Sequence, residues 1–479
     1  MHRREFLRVG AVGAAALGRW PHVRSPVADR PVPTPQQLAW QRDGLAVFAH
    51  FGINTFTDRE WGDGSESPAI FDPARLDARQ WARAARAGGF RTLILTAKHH
   101  DGFCLWPSKL TTHSVAASPW REGTGDVVRE VVESCRVEGL GVGLYLSPWD
   151  RHEPSYGDSP RYNDFYCAQL EELLTGYGPV VEVWFDGANG EGPNGKRQEY
   201  DWPRIHRTVR RLQPDALIFS DAGPDIRWIG NERGVAGDPN WSTVDPAAVP
   251  VPGASGPDVT RALQHGDPDG TVWRPGEADV SIRPGWFWHP AEDARVRDAG
   301  ELVDLYFSSV GRNANLLLNV PPTKDGLFHE TDVQRLAEFG GRLARLFAVD
   351  GAAGAKATAT ATRDKDHAPD RVTDGDPDTW WGPPDRQPAA AIELEFLSPQ
   401  RFDVVLLEEA IADGQRVGYY RVEALSAEGW RTVSWGTTIG HRKLDRIAPV
   451  TARGLRLSIL HAFAAPRLGR VAVYNSDVP

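Results

Sequence analysis

Short apolar runs alternate with amphipathic stretches over the first two thirds of the chain. Apolar, β-branched runs occupy residues 45–48, 92–96, 142–146, 180–185, 216–220 and 316–320. Between successive runs lie stretches whose apolar residues recur on one helical face, which is the pattern of parallel strands joined by crossover helices. The pattern predicts an α/β fold, a (β/α) TIM-like barrel. The stretch from Gly223 to Pro290 is rich in Gly, Pro and Asp, so we expect long loops or an irregular part of the barrel there.

The pattern changes near the C-terminus. Segments 392–396, 402–407, 420–425 and 455–459 alternate with period two and are separated by turns, which indicates a β-sandwich. A last helix at about 331–347 and a run of small residues separate the two regions. We therefore predict a signal and spacer at 1–30, a barrel domain at 31–349, a linker at 350–361 and a sandwich at 362–479.

The N-terminus has the features of an export signal. Arg3 and Arg4 precede a short, weakly apolar run at 9–17, which is typical of a twin-arginine signal. The run is too short for a stable membrane span. We expect an exported protein, periplasmic or extracellular.

Composition narrows the choice of ligand. A formal charge of −10 argues against nucleic acid, because binding phosphates needs clustered Lys and Arg. Eighteen Trp against one Met suit a protein that stacks aromatic rings on sugars. Cys104, Cys135 and Cys167 lack the spacing of a zinc site and are expected to be core residues.

Polar side chains follow four consecutive predicted strands. His50 follows the first, Lys98-His99-His100-Asp101 the second, Ser147 to Asp150 the third and Asp186 the fourth. In a (β/α) barrel these strand ends meet in one pocket. Histidines, carboxylates and nearby Trp61, Trp106, Trp149 and Trp184 suit a neutral, hydroxyl-rich ligand, and Asp186 is one of the two carboxyl groups that glycoside cleavage needs.

A set of motifs resembles glycoside hydrolase family 29, the α-L-fucosidases, from about Trp40 to Phe347. The motifs are His50-Phe51-Gly52, Glu60-Trp61, Thr96 to Phe103, Tyr145 to Trp149, Glu182 to Gly187 and Asn315 to Val320. The resemblance implies that Asp186 is the nucleophile of a retaining fucosidase. It also implies that the fucose unit is contacted by His50, Glu60, Trp61, His99, His100 and Trp184.

The general acid/base falls in the unassigned stretch. Glu232, within Trp228 to Gly234, resembles the acid/base motif of the branch of the family that cleaves α1,3 and α1,4 linkages. Glu277 is the rival, and the one that is not the acid/base is expected to bond substrate or to pair with Arg274 or Arg283. The acid must begin protonated, which requires a raised pKa.

The C-terminal region has a resemblance of its own. Residues 371–381 are similar to the opening of discoidin-like (coagulation factor 5/8 type C) domains, in which an Asp-Gly-Asp turn often binds a structural calcium ion. The resemblance implies a calcium ion or a glycan-binding role in this domain, with no cofactor expected in the catalytic pocket. The implied partners are fucosylated oligosaccharides or glycoconjugates.

Two other functions remain open at this point. A metal-dependent hydrolase on the same barrel would use His50, His99, His100 and Asp101. Adjacent His99 and His100 are expected to point in different directions on an extended chain, which weakens that hypothesis. A protein that only binds glycans is the second alternative, and the presence of both Asp186 and Glu232 argues against it.

Overall fold

Eight parallel strands close into a barrel in the computed structural model, which describes residues 30–476. The twin-arginine segment lies outside these residues. The strands are β1 Leu45–Ala49, β2 Thr92–Lys98, β3 Gly141–Leu146, β4 Glu182–Trp184, β5 Leu217–Ser220, β6 Ile226–Trp228, β7 Gly276–Ser281 and β8 Ala314–Asn319. Each strand pairs with its neighbours in the sequence, and β8 pairs with β1 to close the barrel. The predicted TIM-like barrel is confirmed.

Helices surround the barrel, and several of them begin at a residue whose side chain caps the first turn. They are α1 Pro35–Asp43, α2 Ile53–Thr57, α3 Ala78–Ala87, α4 Val127–Glu138, α5 Ser159–Gly176, α6 Trp202–Leu212, α7 Pro257–His265, α8 Ala299–Ser308 and α9 Glu330–Leu346. Helix α4 begins after Asp126, whose carboxylate accepts the Arg129 N–H, and ends at Gly139 in the left-handed conformation. Its buried face includes Val131 and Cys135. Within the described residues, none of the helices is long and apolar enough to cross a membrane.

The stretch that showed no clear periodicity contains two barrel strands, β6 and β7. Between them lie α7 and an antiparallel pair formed by Thr243–Val244 and Val272–Trp273. Strands β5 and β6 are joined by residues 221–225 without a crossover helix. The barrel is therefore irregular where the sequence predicted long loops or distortion.

The barrel interior holds three carboxyl groups, each of which accepts a hydrogen bond from an indole N–H. The donor–acceptor pairs are Trp40 and Glu182 (3.0 Å), Trp184 and Glu277 (3.0 Å), and Trp228 and Asp279 (2.7 Å). Burial raises the pKa of all three carboxyls. Strand β7 was hard to recognise because its inward-facing residues are Glu277, Asp279 and Ser281, which are all polar.

The second domain is an antiparallel sandwich, as predicted. Its strands are β9 Lys356–Ala359, β10 Ala390–Glu409, β11 Val417–Ser426, β12 Gly429–Gly436, β13 Lys443–Ala462 and β14 Leu468–Tyr474. They pair in the order β9-β10-β13-β11-β12, and β14 pairs with β10. The core contains Trp381, Tyr420 and Leu457.

The prediction of a linker at 350–361 is wrong in part. Residues Lys356–Ala359 form β9, which pairs with β10. Ala352 and Ala355 are buried in the core of the sandwich. Because this segment adds a strand to the sheet and two side chains to the core, it belongs to the second domain.

Candidate active site

The four predicted strand ends meet in one pocket. The His50 and His99 rings lie 5.6 Å apart between centroids, and His99 and His100 lie 4.1 Å apart. The expectation that His99 and His100 point in different directions is wrong. Strand β2 ends at Lys98, so the alternation of an extended chain does not continue through the two histidines.

Asp186 lies just beyond the end of β4 and its carboxylate is partly exposed. The Tyr145 hydroxyl donates to Oδ2 over 3.2 Å and the Ala188 N–H donates to Oδ1 over 2.6 Å. His100 Nε2 lies 4.0 Å from Oδ2. These contacts fix the carboxylate while leaving it open to a ligand, because 27% of the side chain stays accessible.

Burial favours the neutral form of the three pocket histidines. Burial lowers the pKa of His50 to about 3, although the hydrogen bond to Asn319 acts against it. Burial also lowers the pKa of His99 and His100, and for His100 the Asp186 charge opposes the shift. His50 Nδ1 contacts Asn319 Oδ1 at 2.8 Å and His100 Nδ1 contacts Ser147 Oγ at 2.7 Å. A neutral imidazole can donate or accept, which suits sugar hydroxyls.

Tryptophan rings line the pocket on two sides. Trp184 stacks on Phe219 with ring centroids 4.1 Å apart, and its indole N–H donates a hydrogen bond to Glu277. Trp149 lies 4.8 Å from the His100 ring, and Trp61, which is 59% exposed, lies 6.0 Å from Trp149. Trp106 is not part of the pocket, because it is buried in the outer core and donates to Glu172.

Glu60 holds a neighbouring loop in place. Its carboxylate accepts the backbone N–H groups of Trp286 and Phe287 at 2.9 and 3.1 Å and contacts His289 Nε2 at 2.7 Å. Burial acts to lower the pKa of His289, but hydrogen bonds to Asp58 and Glu60 outweigh it and raise this pKa. Glu60 therefore contacts the loop at three points, and the Trp286 and Phe287 rings lie 5.1 and 5.5 Å from the His50 ring between centroids.

Glu232 and Glu277 occupy different environments. Glu232 lies at the rim of the pocket, where Trp286 Nε1 donates to Oε2 over 3.4 Å. Partial burial raises the pKa of Glu232 against that hydrogen bond, and the charges of Asp186 and Glu60 raise it further. Glu277 is 1% exposed inside the barrel and bonded to Trp184.

Neither arginine considered for Glu277 pairs with it. Arg283 binds Asp332 and Asp293, and Arg274 donates to the carbonyls of Ala222 and Pro224.

Four pocket residues were not assigned to the site by sequence reasoning, although one of them lies in a family motif: Tyr145, Trp286, Phe287 and His289. Tyr145 faces inward on β3, two residues before Ser147, so the period-two rule could have found it. The other three follow β7, the strand that was not recognised. Lys98, at the end of β2, and Asp150, beyond the end of β3, form a buried ion pair at 2.8 Å. Within residues 30–476, no three His, Cys, Asp or Glu side chains are grouped so that they could hold a metal ion.

A partly exposed carboxylate, neutral histidines and tryptophan faces at the carboxyl ends of the strands define a barrel enzyme whose pocket suits a neutral sugar. Comparison with known proteins agrees. The family model described as alpha-L-fucosidase matches residues 37–345, and the model of the F5/8 type C domain matches residues 356–470. The chain belongs to the α-L-fucosidase family, glycoside hydrolase family 29, and carries a C-terminal discoidin-like domain.

Similar proteins cover nearly the whole chain. Alpha-L-fucosidase 1 of Arabidopsis thaliana is 44% identical over 450 residues, which are 93% of this chain and 87% of that protein. The crystal structure of SpGH29 has a TM-score of 0.89 at 44% identity and covers 93% of this chain and 98% of that one. A Ruminococcus gnavus GH29 fucosidase in complex with fucose has a TM-score of 0.86 at 36% identity and covers 95% of this chain and 97% of that one.

Proposed function

We propose that this enzyme is a retaining exo-α-L-fucosidase that releases terminal α-L-fucose from glycans through a fucosyl-enzyme intermediate on Asp186. The observation that carries the proposal is the Asp186 carboxylate, which is held by Tyr145 and Ala188 and is open to the pocket beside His100. The related R. gnavus enzyme holds fucose in its crystal structure. A carboxylate that is fixed but accessible is what attack on an anomeric carbon requires.

In the first step, an Asp186 carboxylate oxygen bonds to C1 of fucose while the bond from C1 to the glycan oxygen breaks. Glu232 gives its proton to that departing oxygen. Partial burial raises the pKa of Glu232, which favours the protonated carboxyl that this step needs. In the second step Glu232, now a carboxylate, takes a proton from water, the water oxygen bonds to C1, and the ester to Asp186 breaks.

Two observations favour Glu232 over Glu277 as the acid/base. Glu232 lies at the rim, where a leaving group would be, and the Asp186 charge contributes to its raised pKa. Glu277 is enclosed in the barrel and its Oε2 is occupied by the Trp184 N–H. A residue without access to the pocket cannot pass a proton to a leaving group directly.

The nucleophile is tested by Asp186→Ala. Turnover of an aryl α-L-fucoside should fall by several orders of magnitude while the far-UV circular dichroism stays unchanged, because the carboxylate that forms the intermediate is gone. Asp258→Ala is the matched control, since the Asp258 side chain is 95% exposed. Near-normal rates in Asp186→Ala would refute the assignment.

The acid/base is tested by azide rescue. With a substrate that has a good leaving group, azide should restore the activity of Glu232→Ala, because azide attacks the intermediate without needing a base. Rescue of Glu277→Ala instead would transfer the role to Glu277.

The other functions are tested with the wild-type enzyme. If excess chelator abolished turnover, the metal-dependent alternative would be favoured. If turnover were absent but glycan binding remained, a protein that only binds glycans would be favoured.

We also propose cleavage of α1,3 and α1,4 linkages, which rests on the resemblance of residues 228–234 to that branch of the family. A panel of defined fucosylated oligosaccharides tests it. Efficient hydrolysis of linear α1,2-fucosides, with branched α1,3 and α1,4 substrates untouched, would refute it.

Export and calcium stay proposals of the same kind. Export through the twin-arginine route is tested by Arg3→Lys combined with Arg4→Lys, which should retain the enzyme in the cytoplasm.

In the discoidin-like domain, the Asp374 carboxylate accepts from Thr379 Oγ1 at 2.9 Å and lies 3.5 Å from Arg371. Addition of calcium to the chelated protein should raise its melting temperature if these oxygens are ligands.

A further inference from the structure

A buried polar cluster joins the two domains behind the pocket. The barrel domain supplies Asn240, Ser242 and Asn313, and the discoidin-like domain supplies Gln415 and Thr438. All five residues are buried, and Gln415 is fully enclosed. We call these residues the interdomain cluster.

Gln415 is the centre of this cluster. Its Nε2 donates to the Asn240 carbonyl over 3.0 Å, and its Oε1 accepts the Ser242 N–H at 2.8 Å and Asn313 Nδ2 at 3.2 Å. The Asn240 N–H donates to Thr438 Oγ1 over 3.0 Å. Buried hydrogen bonds of this kind tolerate little displacement, because a broken one leaves a polar group without water.

The cluster continues to the strand that precedes Glu232. Arg227, on β6 and buried, donates from Nη2 to Asn240 Oδ1 over 2.7 Å and from Nε to the Leu263 carbonyl over 2.9 Å. Residues 229–239, which include Glu232, therefore form a loop that follows β6, and the hydrogen bond from Arg227 to Asn240 ties its two ends together. The discoidin-like domain holds the Asn240 end.

The middle of this loop is also attached to the barrel domain. The Gly234 N–H donates to the Asp279 carbonyl over 3.1 Å and the Ala236 N–H to the Ser308 carbonyl over 2.9 Å. The loop is thus set against the barrel at its middle and against the second domain at its end.

We infer that Gln415 is a positioning residue for Glu232, so that the discoidin-like domain takes part in catalysis by holding the loop that carries the acid. This inference rests on the proposed function. Proton transfer in the first step needs the Glu232 carboxyl within hydrogen-bond reach of the leaving oxygen, and misplacement by about 1 Å can cost about a hundredfold in rate. Loss of Gln415 removes two hydrogen bonds that hold residues 240–242 at the end of the loop, and the added freedom moves Glu232 off that position.

The experiment compares two substrates that share the fucose unit. One is an aryl α-L-fucoside with a good leaving group, which needs little protonation, and the other is a fucosylated oligosaccharide with a poor leaving group. In Gln415→Ala, kcat/KM for the oligosaccharide should fall at least tenfold more than kcat/KM for the aryl fucoside. Glu232→Ala should show the same bias, only larger.

A matched control breaks the domain interface elsewhere. Arg42 on α1 pairs with Asp378 of the discoidin-like domain at 2.6 Å, so this contact reaches the interface from a different helix. Asp378→Ala should lower both rates by the same factor or leave them unchanged. If Gln415→Ala fails to fold, Thr438→Val is the second variant, because it removes only the acceptor of the Asn240 N–H.

The outcomes separate the inference from the proposed function. An equal fall in both rates in Gln415→Ala or Thr438→Val means only loss of active enzyme and overturns the inference. A larger fall for the oligosaccharide than for the aryl fucoside in Glu232→Ala, but not in Gln415→Ala or Thr438→Val, also overturns the inference and leaves Glu232 as the acid. If Glu232→Ala lowers kcat/KM equally for the two substrates, the assignment of Glu232 as the acid is overturned, and the inference with it.

Discussion

Replacement of Glu182 by Gln should stabilise the enzyme relative to the wild type, and the gain in stability should be larger at alkaline pH than at acidic pH. Glu182 points into the barrel, where it is fully buried and accepts the Trp40 N–H at 3.0 Å. Among the described residues, its Oε1 has no hydrogen-bond partner. Burial raises the pKa of Glu182 to about 8 from an ordinary 4.5.

The sign and size of this stability change follow from the linkage between proton binding and folding. Between pH 4.5 and 8 the folded protein binds the Glu182 proton more tightly than the unfolded chain does, so the free energy of unfolding falls as pH rises through that window. One pKa unit is worth about 1.4 kcal/mol, so the loss through this group is up to about 5 kcal/mol. Glutamine has the shape of the protonated acid and no proton to lose in this pH range, so Glu182→Gln avoids that loss of stability.

Thermal unfolding followed by circular dichroism from pH 4.5 to 9 measures the effect. The melting temperatures of Glu182→Gln and wild type should be close near pH 4.5, and the variant should gain several degrees by pH 9. Glu338→Gln is the control, because Glu338 lies on the surface of α9 beside Arg335. A gap between Glu182→Gln and wild type that is the same at every pH would refute the reasoning.

Three further substitutions probe the pocket and its support. Lys98→Met should cost about 3–5 kcal/mol in denaturant unfolding, because it leaves Asp150 buried without its partner at 2.8 Å; an unchanged unfolding midpoint would contradict this. Glu60→Ala should raise KM for an aryl fucoside about tenfold by freeing the Trp286 and Phe287 N–H groups, and unchanged steady-state kinetics would show that the loop needs no such support. Gly187→Ala should lower kcat at least tenfold, because a Cβ there would lie 2.2 Å from Asp221 Oδ2 beside the nucleophile; wild-type initial rates would show that this contact relaxes freely.

The regular part of the barrel was predictable because its strands bury apolar residues and its helices carry capping signals. Asp126 and Gly139 bound α4 in the sequence and in the structure alike. Strand β7 escaped prediction for a physical reason. Its inward side chains, Glu277, Asp279 and Ser281, are polar and are accommodated by distant partners such as the Trp184 and Trp228 indoles, which no local pattern reveals.

The pocket was predictable only in part for the same reason. His50, His99, His100 and Asp186 follow recognisable strands, so their meeting could be expected from barrel geometry. Trp286 reaches Glu232 across 54 positions in the chain, and Glu60 reaches the same loop across more than 200. Hydrogen bonds between segments so far apart produce no periodic pattern in the sequence.

The sequence by itself determined the barrel and sandwich classes, the family, and the placing of Asp186 at a strand end, because local burial patterns and motif spacing are written along the chain. The motif at residues 228–234 already favoured Glu232 as the acid/base, and only the tertiary structure showed that Glu232 and Glu277 occupy different environments. Both are glutamates in a stretch without clear periodicity, and what distinguishes them is enclosure: one lies at the rim with a charge nearby, and the other lies inside the barrel against an indole N–H. Solvent access depends on the packing of the whole barrel, and that packing forms only when distant segments come together.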